Sequence, residues 1–200
     1  WMGALGFVIA VIALAGPSWR QGEQPLWQSH SPLVVAVDMS SAIAASDLPP
    51  SRLLQVRAKL ATLLRERTGG QVALVAYAGE AFTVAPLTDD AANVALFLDA
   101  LEPDVMPVDG QEAAKAIAAS VRLLQQAGFN RGDILLITDQ GDAADNSAAA
   151  EANRQGFRVS TLGVGTAGGA PYKNIDGSIG QARLDAGSLR ALSVAGGGTY

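Results

Sequence analysis

Two short apolar runs each lead into an aspartate, and they constrain the fold of this chain more than any other feature. Residues 34–37 (Val-Val-Ala-Val) precede Asp38, and residues 134–137 (Ile-Leu-Leu-Ile) precede Thr138 and Asp139. Short apolar runs separated by helical periods are typical of parallel strands joined by helices on both faces of a sheet. Ligands of such sheets bind beyond the carboxyl ends of the strands, where the strand order reverses. The pattern therefore predicts a crevice that brings the two carboxylates together.

The periodicity of the remaining chain predicts an α/β fold. Helical stripes alternate with short apolar runs, and Ser51 and Asp185 are placed to cap the starts of two helices. Residues 81–85 follow a tight turn and predict one antiparallel edge strand. We therefore expect a doubly wound, mostly parallel sheet with one antiparallel edge strand. Residues 172–184 predict a hairpin with a type I′ turn at Asp176-Gly177.

Composition excludes several classes of protein. Hydrophobic residues make up 49% of the chain and charged residues 16%, which indicates a folded core rather than a disordered chain. The net charge is −5 without a basic run, so non-specific nucleic-acid binding is not expected. The absence of cysteine excludes disulfides and thiolate metal sites. Residues 163–168 match G-x-G-x-x-G, but a hairpin rather than a helix is predicted to follow, so we expect no nucleotide.

The amino-terminal segment predicts a connection to a membrane. Residues 1–16 carry no charge and would be apolar on every face of a helix, which water does not tolerate. They predict a truncated transmembrane helix, residues 17–32 a juxtamembrane linker, and residues 33–200 the folded domain, with its final strand truncated. The alternative is a secretory signal peptide with an A-x-A cleavage site at residues 13–15. Under either interpretation, the domain is exported from the cytoplasm or attached to a membrane.

An Asp-x-Ser pattern at the end of the first apolar run suggests an ion site. Side chains two residues apart in extended backbone point the same way, so Asp38 and Ser40 are able to offer a carboxylate and a hydroxyl to one ion. Oxygen ligands favour Mg²⁺, Ca²⁺ or Mn²⁺ over Zn²⁺. The alternative is that both side chains only cap the turn that follows.

Several short segments occur in an order and spacing typical of one protein family. They are residues 34–42 (VVAVDMSSA), 46–53 (SDLPPSRL), 75–82 (VAYAGEAF), 86–90 (PLTDD), 137–139 (ITD) and 197–200 (GGTY). With these segments the chain resembles the von Willebrand factor A (VWA) domain, and more narrowly the membrane-anchored bacterial proteins of the aerotolerance (BatA/BatB) type. The resemblance runs from about Leu14 to the end of the chain.

The resemblance implies a Rossmann-like domain with a metal-ion-dependent adhesion site. In such a site an Asp-x-Ser-x-Ser loop, a Thr from a second loop and an Asp from a third surround Mg²⁺, and a partner's carboxylate completes the shell. By position, Asp38 and Ser40 match the first loop and Asp139 the third. Ala42 stands at the second Ser position and Gln111 at the Thr position, where its amide oxygen becomes a candidate ligand. The implied metal is Mg²⁺, with Mn²⁺ or Ca²⁺ as alternatives.

The resemblance also implies a function. It predicts a protein–protein interaction module at the bacterial inner membrane, facing the periplasm, which works with sister VWA proteins and a MoxR-type AAA+ ATPase. A domain that has lost metal binding and acts as a structural scaffold is the alternative, which Ala42 and Gln111 favour. A haloacid-dehalogenase-like phosphatase would use Asp38 as nucleophile, but it needs a second Asp where Ser40 stands. His30 falls in the linker, so we expect no enzyme.

Overall fold

The computed structural model describes residues 1–6 and 31–200, and from residue 31 onward it forms a sheet flanked by helices. The strands of this part are β1 (Leu33–Asp38), β2 (Val72–Tyr77), β3 (Ala81–Thr88), β4 (Gly132–Thr138), β5 (Phe157–Gly163), β6 (Ala170–Lys173) and β7 (Ile179–Ala182). The α-helices are α1 (Arg52–Glu66), α2 (Ala91–Ala95), α3 (Ala113–Gln126), α4 (Ala143–Arg154) and α5 (Ala186–Ala195). Short 3-10 turns cover Ser41–Ala44, Leu98–Ala100 and Pro103–Val105.

The main sheet is doubly wound, as the sequence predicts. Its strand order is β3-β2-β1-β4-β5. β1 pairs in parallel with β2 and with β4, and β4 pairs in parallel with β5. β3 lies antiparallel to β2 at the edge, so the predicted edge strand is confirmed. Because the chain returns after β3 to add β4 on the other side of β1, the carboxyl ends of β1 and β4 flank the point where the strand order reverses.

The two faces of the sheet are buried under different helices. All six residues of β1 are buried. Val35 and Val37 belong to the apolar cluster that includes α1, whereas Val34 and Ala36 belong to the cluster that includes α3. This alternation follows from the two-residue period of a strand. Each buried aliphatic side chain contributes about 2 kcal/mol relative to exposure, which fixes β1 and hence the position of Asp38 at its end.

Side-chain caps set the starts of the helices. The Ser51 hydroxyl accepts from the amide of Leu54 at the start of α1, and the Asp185 carboxylate accepts from the amides of Gly187 and Ser188 at the start of α5. Both caps are confirmed predictions, since each oxygen satisfies a helical N–H that has no partner within the helix. The Ser51 cap also places Arg52, the first residue of α1, beside the carboxyl edge of the sheet.

The strands β6 and β7 form the predicted hairpin, but its turn differs from the prediction. A type I′ turn needs a positive φ at both central residues. Only Gly177 has one, at 86°, whereas Asp176 does not, so the predicted type I′ turn is wrong. The connection is longer, with the Asn174 amide donating to the carbonyl of Ser178. The hairpin packs against the 41–44 turn and so lies beside the carboxyl edge of the main sheet.

The two ends of the chain concern two separate predictions, a membrane helix at the amino end and a last strand at the carboxyl end. Within residues 1–6 and 31–200, no helix is long and apolar enough to cross a membrane. The predicted transmembrane helix and linker fall mainly on residues 7–30, outside the described residues. At the other end, Gly197 bridges Val159 in parallel and the Thr161 amide donates to the Thr199 carbonyl over 2.9 Å. Residues 197–199 therefore run parallel to β5 at the edge of the sheet.

Candidate functional site

The structure brings Asp38 and Asp139 together at the point where the strand order reverses. Asp38 is the last residue of β1, and Asp139 follows directly after β4. Both are buried, with exposed fractions of 3% and 4%. The Asp38 carboxylate accepts from the Ser40 amide over 2.9 Å and from the Thr138 hydroxyl over 2.8 Å. The predicted crevice with two carboxylates is therefore present.

Gln111 joins the two carboxylates through a single amide nitrogen. Its Nε2 lies 3.1 Å from Asp38 Oδ2 and 3.0 Å from Asp139 Oδ1. Its Oε1 accepts from Gln140 Nε2 over 2.6 Å, which fixes the orientation of the amide. The resemblance placed Gln111 at this site, with its amide oxygen as a candidate ligand to a metal ion. The structure instead has a hydrogen-bond donor between the two carboxylates.

Arg52 is the second donor of the site, and sequence reasoning missed it. The residue is 1% exposed, and its Nη1 donates to Asp139 Oδ2 over 2.8 Å. Its Nε and Nη2 donate to the two carboxylate oxygens of Asp47 over 2.6 and 2.9 Å. Asp47 also accepts from the amide and hydroxyl of Thr166. The signal that could have revealed this pair is the charged Asp47–Arg52 spacing just before a capped apolar helix.

The pKa values of Asp38 and Asp47 are shifted in opposite directions by their surroundings. Burial raises the pKa of Asp38 from 3.8 to about 6, and the neighbouring charge of Asp139 adds to this, while hydrogen bonds from Ser40 and Thr138 oppose it. Hydrogen bonds from Arg52 hold the pKa of Asp47 well below its usual range. The guanidinium therefore compensates Asp47 and Asp139, and Asp38 is stabilised by neutral donors.

Ser40 contributes a hydroxyl without a hydrogen-bond partner. The residue is 2% exposed, and its Oγ forms no hydrogen bond of ordinary geometry within the described residues, although it lies close enough to Asp38 to lower that pKa. A buried polar atom in this state costs about 1–3 kcal/mol. The methyl group of Ala42 lines a cavity of about 10 Å³ beside Asp38, Gln111 and Asp139. This volume corresponds to about one water molecule.

A larger cleft opens above the crevice, and we call it the edge cleft. It has a volume of about 540 Å³ and is lined by Ser40, Pro107, Asp109, Gly110, Gln111, Tyr172, Asn174, Ile175 and Asp176. The hairpin forms one wall and the loop before α3 forms the other. Asp109 holds the floor together, because its carboxylate accepts from the amide and hydroxyl of Ser41 and from the amide of Gly110. The crevice is thus the base of an open surface feature.

The residues at the crevice fit a divalent cation poorly. Asp38, Ser40 and Asp139 supply oxygens, and the unpartnered hydroxyl is the feature that favours an ion. However, the Gln111 nitrogen and the Arg52 guanidinium already face the two carboxylates, and both repel a cation. Among the described residues, no group of three or more His, Cys, Asp or Glu side chains is arranged to hold a metal. Hydrogen-bond donors therefore stand where the predicted ion would lie.

The first two glycines of the G-x-G-x-x-G match, Gly163 and Gly165, have a packing role. Gly165 has a φ of 122°, and a Cβ at this position would come within 2.5 Å of Arg52 Nη2. The backbone therefore covers the buried guanidinium closely, which only glycine permits. The strand β6 follows at Ala170, and no helix begins at these glycines.

A family model and solved structures of known proteins both match this chain. A sequence model of the family described as "von Willebrand factor type A domain" matches residues 33–142. The chain is similar to the crystal structure of BatB from Bacteroides thetaiotaomicron, with 30% identity, a TM-score of 0.78, and coverage of 86% of this chain and 89% of that one. It is also similar to an aerotolerance-related membrane protein from Bacteroides fragilis, with 27% identity, a TM-score of 0.77, and coverage of 86% and 90%.

The curated relatives are longer than the region that matches this chain. A UPF0353 protein from Mycolicibacterium paratuberculosis is 26% identical over 187 residues, which cover 86% of this chain and 54% of the relative. A UPF0353 protein from Mycobacterium marinum is 28% identical over 182 residues, which cover 82% and 52%. The chain therefore spans about half the length of the curated relatives it matches.

Proposed function

The chain belongs to the von Willebrand factor type A domain family, and we propose that it is a protein-binding module that docks its partners at the edge cleft. The observation that carries the proposal is the Ser40 hydroxyl, which has no hydrogen-bond partner among residues 1–6 and 31–200 and lies at the base of a cleft of about 540 Å³. Ligands of doubly wound sheets bind at this place, beyond the carboxyl ends of the strands. A cleft bounded by a hairpin and a loop offers a partner both backbone and side-chain contacts.

A site-specific photo-crosslinker tests the docking edge in cells that produce the protein. The probe replaces Ile175, which is 65% exposed on the rim of the cleft. Its matched control replaces Arg131, which is exposed just before β4, at the opposite edge of the sheet. We expect a discrete protein adduct from position 175 and none from position 131. Adducts of the same kind and yield from both positions would contradict the proposal.

The proposal includes a degenerate adhesion site that works without a metal ion. Gln111 and Arg52 already donate to the two carboxylates, so charge compensation does not require an ion. The second candidate is a cation held by Asp38, Ser40, Asp139 and the oxygen of Gln111, which the unpartnered hydroxyl favours. Mg²⁺ is the expected ion, with Mn²⁺ or Ca²⁺ as alternatives.

Metal titration separates the two candidates. We expect millimolar Mg²⁺, Mn²⁺ and Ca²⁺ to leave the melting temperature unchanged after treatment with a chelator. An ion that raises the melting temperature of the wild type, but not of Asp38→Ala, would establish the second candidate. The comparison with Asp38→Ala is needed because ions also act on exposed carboxylates, which this substitution leaves in place.

We also propose that the crevice performs no catalysis. Both oxygens of Asp38 accept hydrogen bonds, and the buried carboxylate is poorly placed as a nucleophile. Hydrolysis of p-nitrophenyl phosphate that depends on Asp38 would refute this part of the proposal.

The cellular setting belongs to the same proposal. We place the domain on the periplasmic side of the bacterial inner membrane, tethered by residues 1–16 and acting with sister VWA proteins and a MoxR-type AAA+ ATPase. Support comes from the described similarity to an aerotolerance-related membrane protein and from the apolar amino-terminal sequence. Protease accessibility of the full-length protein in spheroplasts tests the sidedness. Protection of the domain in intact spheroplasts would place it in the cytoplasm instead.

A further inference from the structure

The edge cleft carries negative charge that no lining residue neutralises. Asp109 and Asp176 are among its nine lining residues, and none of these is Lys or Arg. Asp38 and Asp139 lie directly beneath, at the crevice. The Arg52 guanidinium lies at the crevice and does not line the cleft, and Asp47 takes two of its donors and Asp139 a third. The cleft therefore presents an acidic surface to a partner.

The carboxylates around the cleft also act on the phenol of Tyr172. Burial raises the pKa of its phenol, and the charges of Asp109, Asp139 and Asp38 raise it further. The pKa of Asp109 is lowered by hydrogen bonds from Ser41 and Gly110, so this carboxylate is ionised at neutral pH. The negative potential inside the cleft thus comes from its wall, its floor and the crevice below.

The hairpin is shaped to place an aromatic ring in this acidic setting. Tyr172 pairs with Gly180 across the hairpin. A Cβ at Gly180 would come within 2.5 Å of Tyr172 Cζ, so the glycine leaves the space that the ring occupies. Aromatic rings attract ammonium and guanidinium groups, and the attraction adds to that of nearby carboxylates. The unpartnered Ser40 hydroxyl supplies a polar acceptor at the base of the same cleft.

We propose that the edge cleft receives a basic side chain, Arg or Lys, from a protein partner. This inference rests on the proposed function and specifies the chemistry of the partner. The carboxylates of Asp109 and Asp176 provide the charge, Tyr172 the aromatic wall, and Ser40 a hydrogen-bond acceptor. With Gln111 in place of a metal ion, and with Arg52 already paired with Asp47 and Asp139, a partner carboxylate meets like charge at the cleft.

A titration with two blocked tripeptides, Gly-Arg-Gly and Gly-Glu-Gly, followed by ¹H–¹⁵N NMR, tests the proposal on the protein itself. We expect the arginine peptide to shift the amide signals of Gly110, Gln111 and Tyr172 saturably in the millimolar range. The glutamate peptide should not shift them. The affinity for the arginine peptide should fall as salt is added, since the charges at the rim are exposed.

One variant tests the contribution of charge to peptide binding, a second tests the position of the aromatic ring, and a third serves as the control. Asp176→Asn keeps an acceptor for the Ser178 turn and should weaken the arginine peptide about two- to fivefold, as the loss of an exposed charge pair does. Gly180→Ala should displace the Tyr172 ring and weaken binding without a change in charge. Glu66→Gln removes an exposed carboxylate at the far end of α1 and should leave the affinity unchanged.

Three outcomes of the peptide titrations would overturn the proposal. These are equal binding of the glutamate peptide, saturable shifts that Asp176→Asn does not weaken, and the absence of arginine binding in the millimolar range. Saturable Mg²⁺ binding that excludes the arginine peptide would also overturn it, because the cation of the cleft would then be a metal. Crosslinking from position 175 in the absence of arginine binding would retain the docking edge and reject only the basic partner.

Discussion

Replacing Asp38 with asparagine is expected to remove a large part of the pH dependence of folding stability. Burial raises the folded-state pKa of this carboxyl from 3.8 to about 6. The folded protein therefore binds this proton more tightly than the unfolded chain does. For this group, the stability is highest at a pH below 3.8, falls as the pH rises toward 6, and is constant above that range.

The magnitude follows from the shift. A rise of about 2 pKa units corresponds to about 3 kcal/mol of unfolding free energy lost between acidic and neutral pH. The substituted asparagine would keep an acceptor for the Ser40 amide and would offer its NH₂ group to the Thr138 hydroxyl, but the hydrogen bond from Gln111 would be lost. That loss costs about 1 kcal/mol. Near neutral pH we therefore expect Asp38→Asn to be about 2 kcal/mol more stable than the wild type.

Urea denaturation followed by far-UV circular dichroism, across acidic to neutral pH and with a chelator present, measures this effect. The readout is the difference between variant and wild type at each pH, so that carboxyl groups common to both proteins, such as Asp47, cancel. Glu66→Gln makes the same change in net charge at an exposed position and should follow the wild type. Parallel pH profiles for Asp38→Asn and wild type would refute the reasoning, because the buried carboxyl would then carry no proton-linked penalty.

Three further predictions address the donors and the loop around the crevice. Arg52→Met leaves two buried carboxylates without their guanidinium and should cost about 3–5 kcal/mol in urea denaturation, and a loss below about 1 kcal/mol would contradict the buried network. Ala42→Ser combined with Gln111→Thr restores two hydroxyl ligands and should produce a Mg²⁺-dependent rise in melting temperature that the wild type lacks; calorimetry that detects no binding would reject the role given to Gln111. Gly79→Ala places a Cβ within 2.7 Å of the Asp109 carbonyl and should cost about 1–3 kcal/mol, measured as a lower denaturation midpoint; an unchanged midpoint would contradict the close packing of this loop.

Local sequence signals were sufficient for the elements of the fold. The continuous apolar run of β1 and the cap at Ser51 depend on neighbours in the chain, so the strand and the helix start were predictable. The order of strands and helices then limited the topology to a doubly wound sheet, which brought Asp38 and Asp139 to one edge. The turn at Gly177 was not predictable in the same way, because turn type depends on the length of the connection as well as on its dipeptide.

The sequence by itself determined that two carboxylates meet at the crevice, and only the tertiary structure decided their partners, Arg52 among them. Asp38 and Asp139 were predicted from their positions after strands, and Gln111 only from the resemblance to the VWA family. The direction of the Gln111 amide depends on Gln140, and the role of Arg52 depends on Asp139, far away in the chain. Hydrogen-bond partners of buried polar groups are chosen by desolvation and proximity in the folded protein, which no local pattern contains.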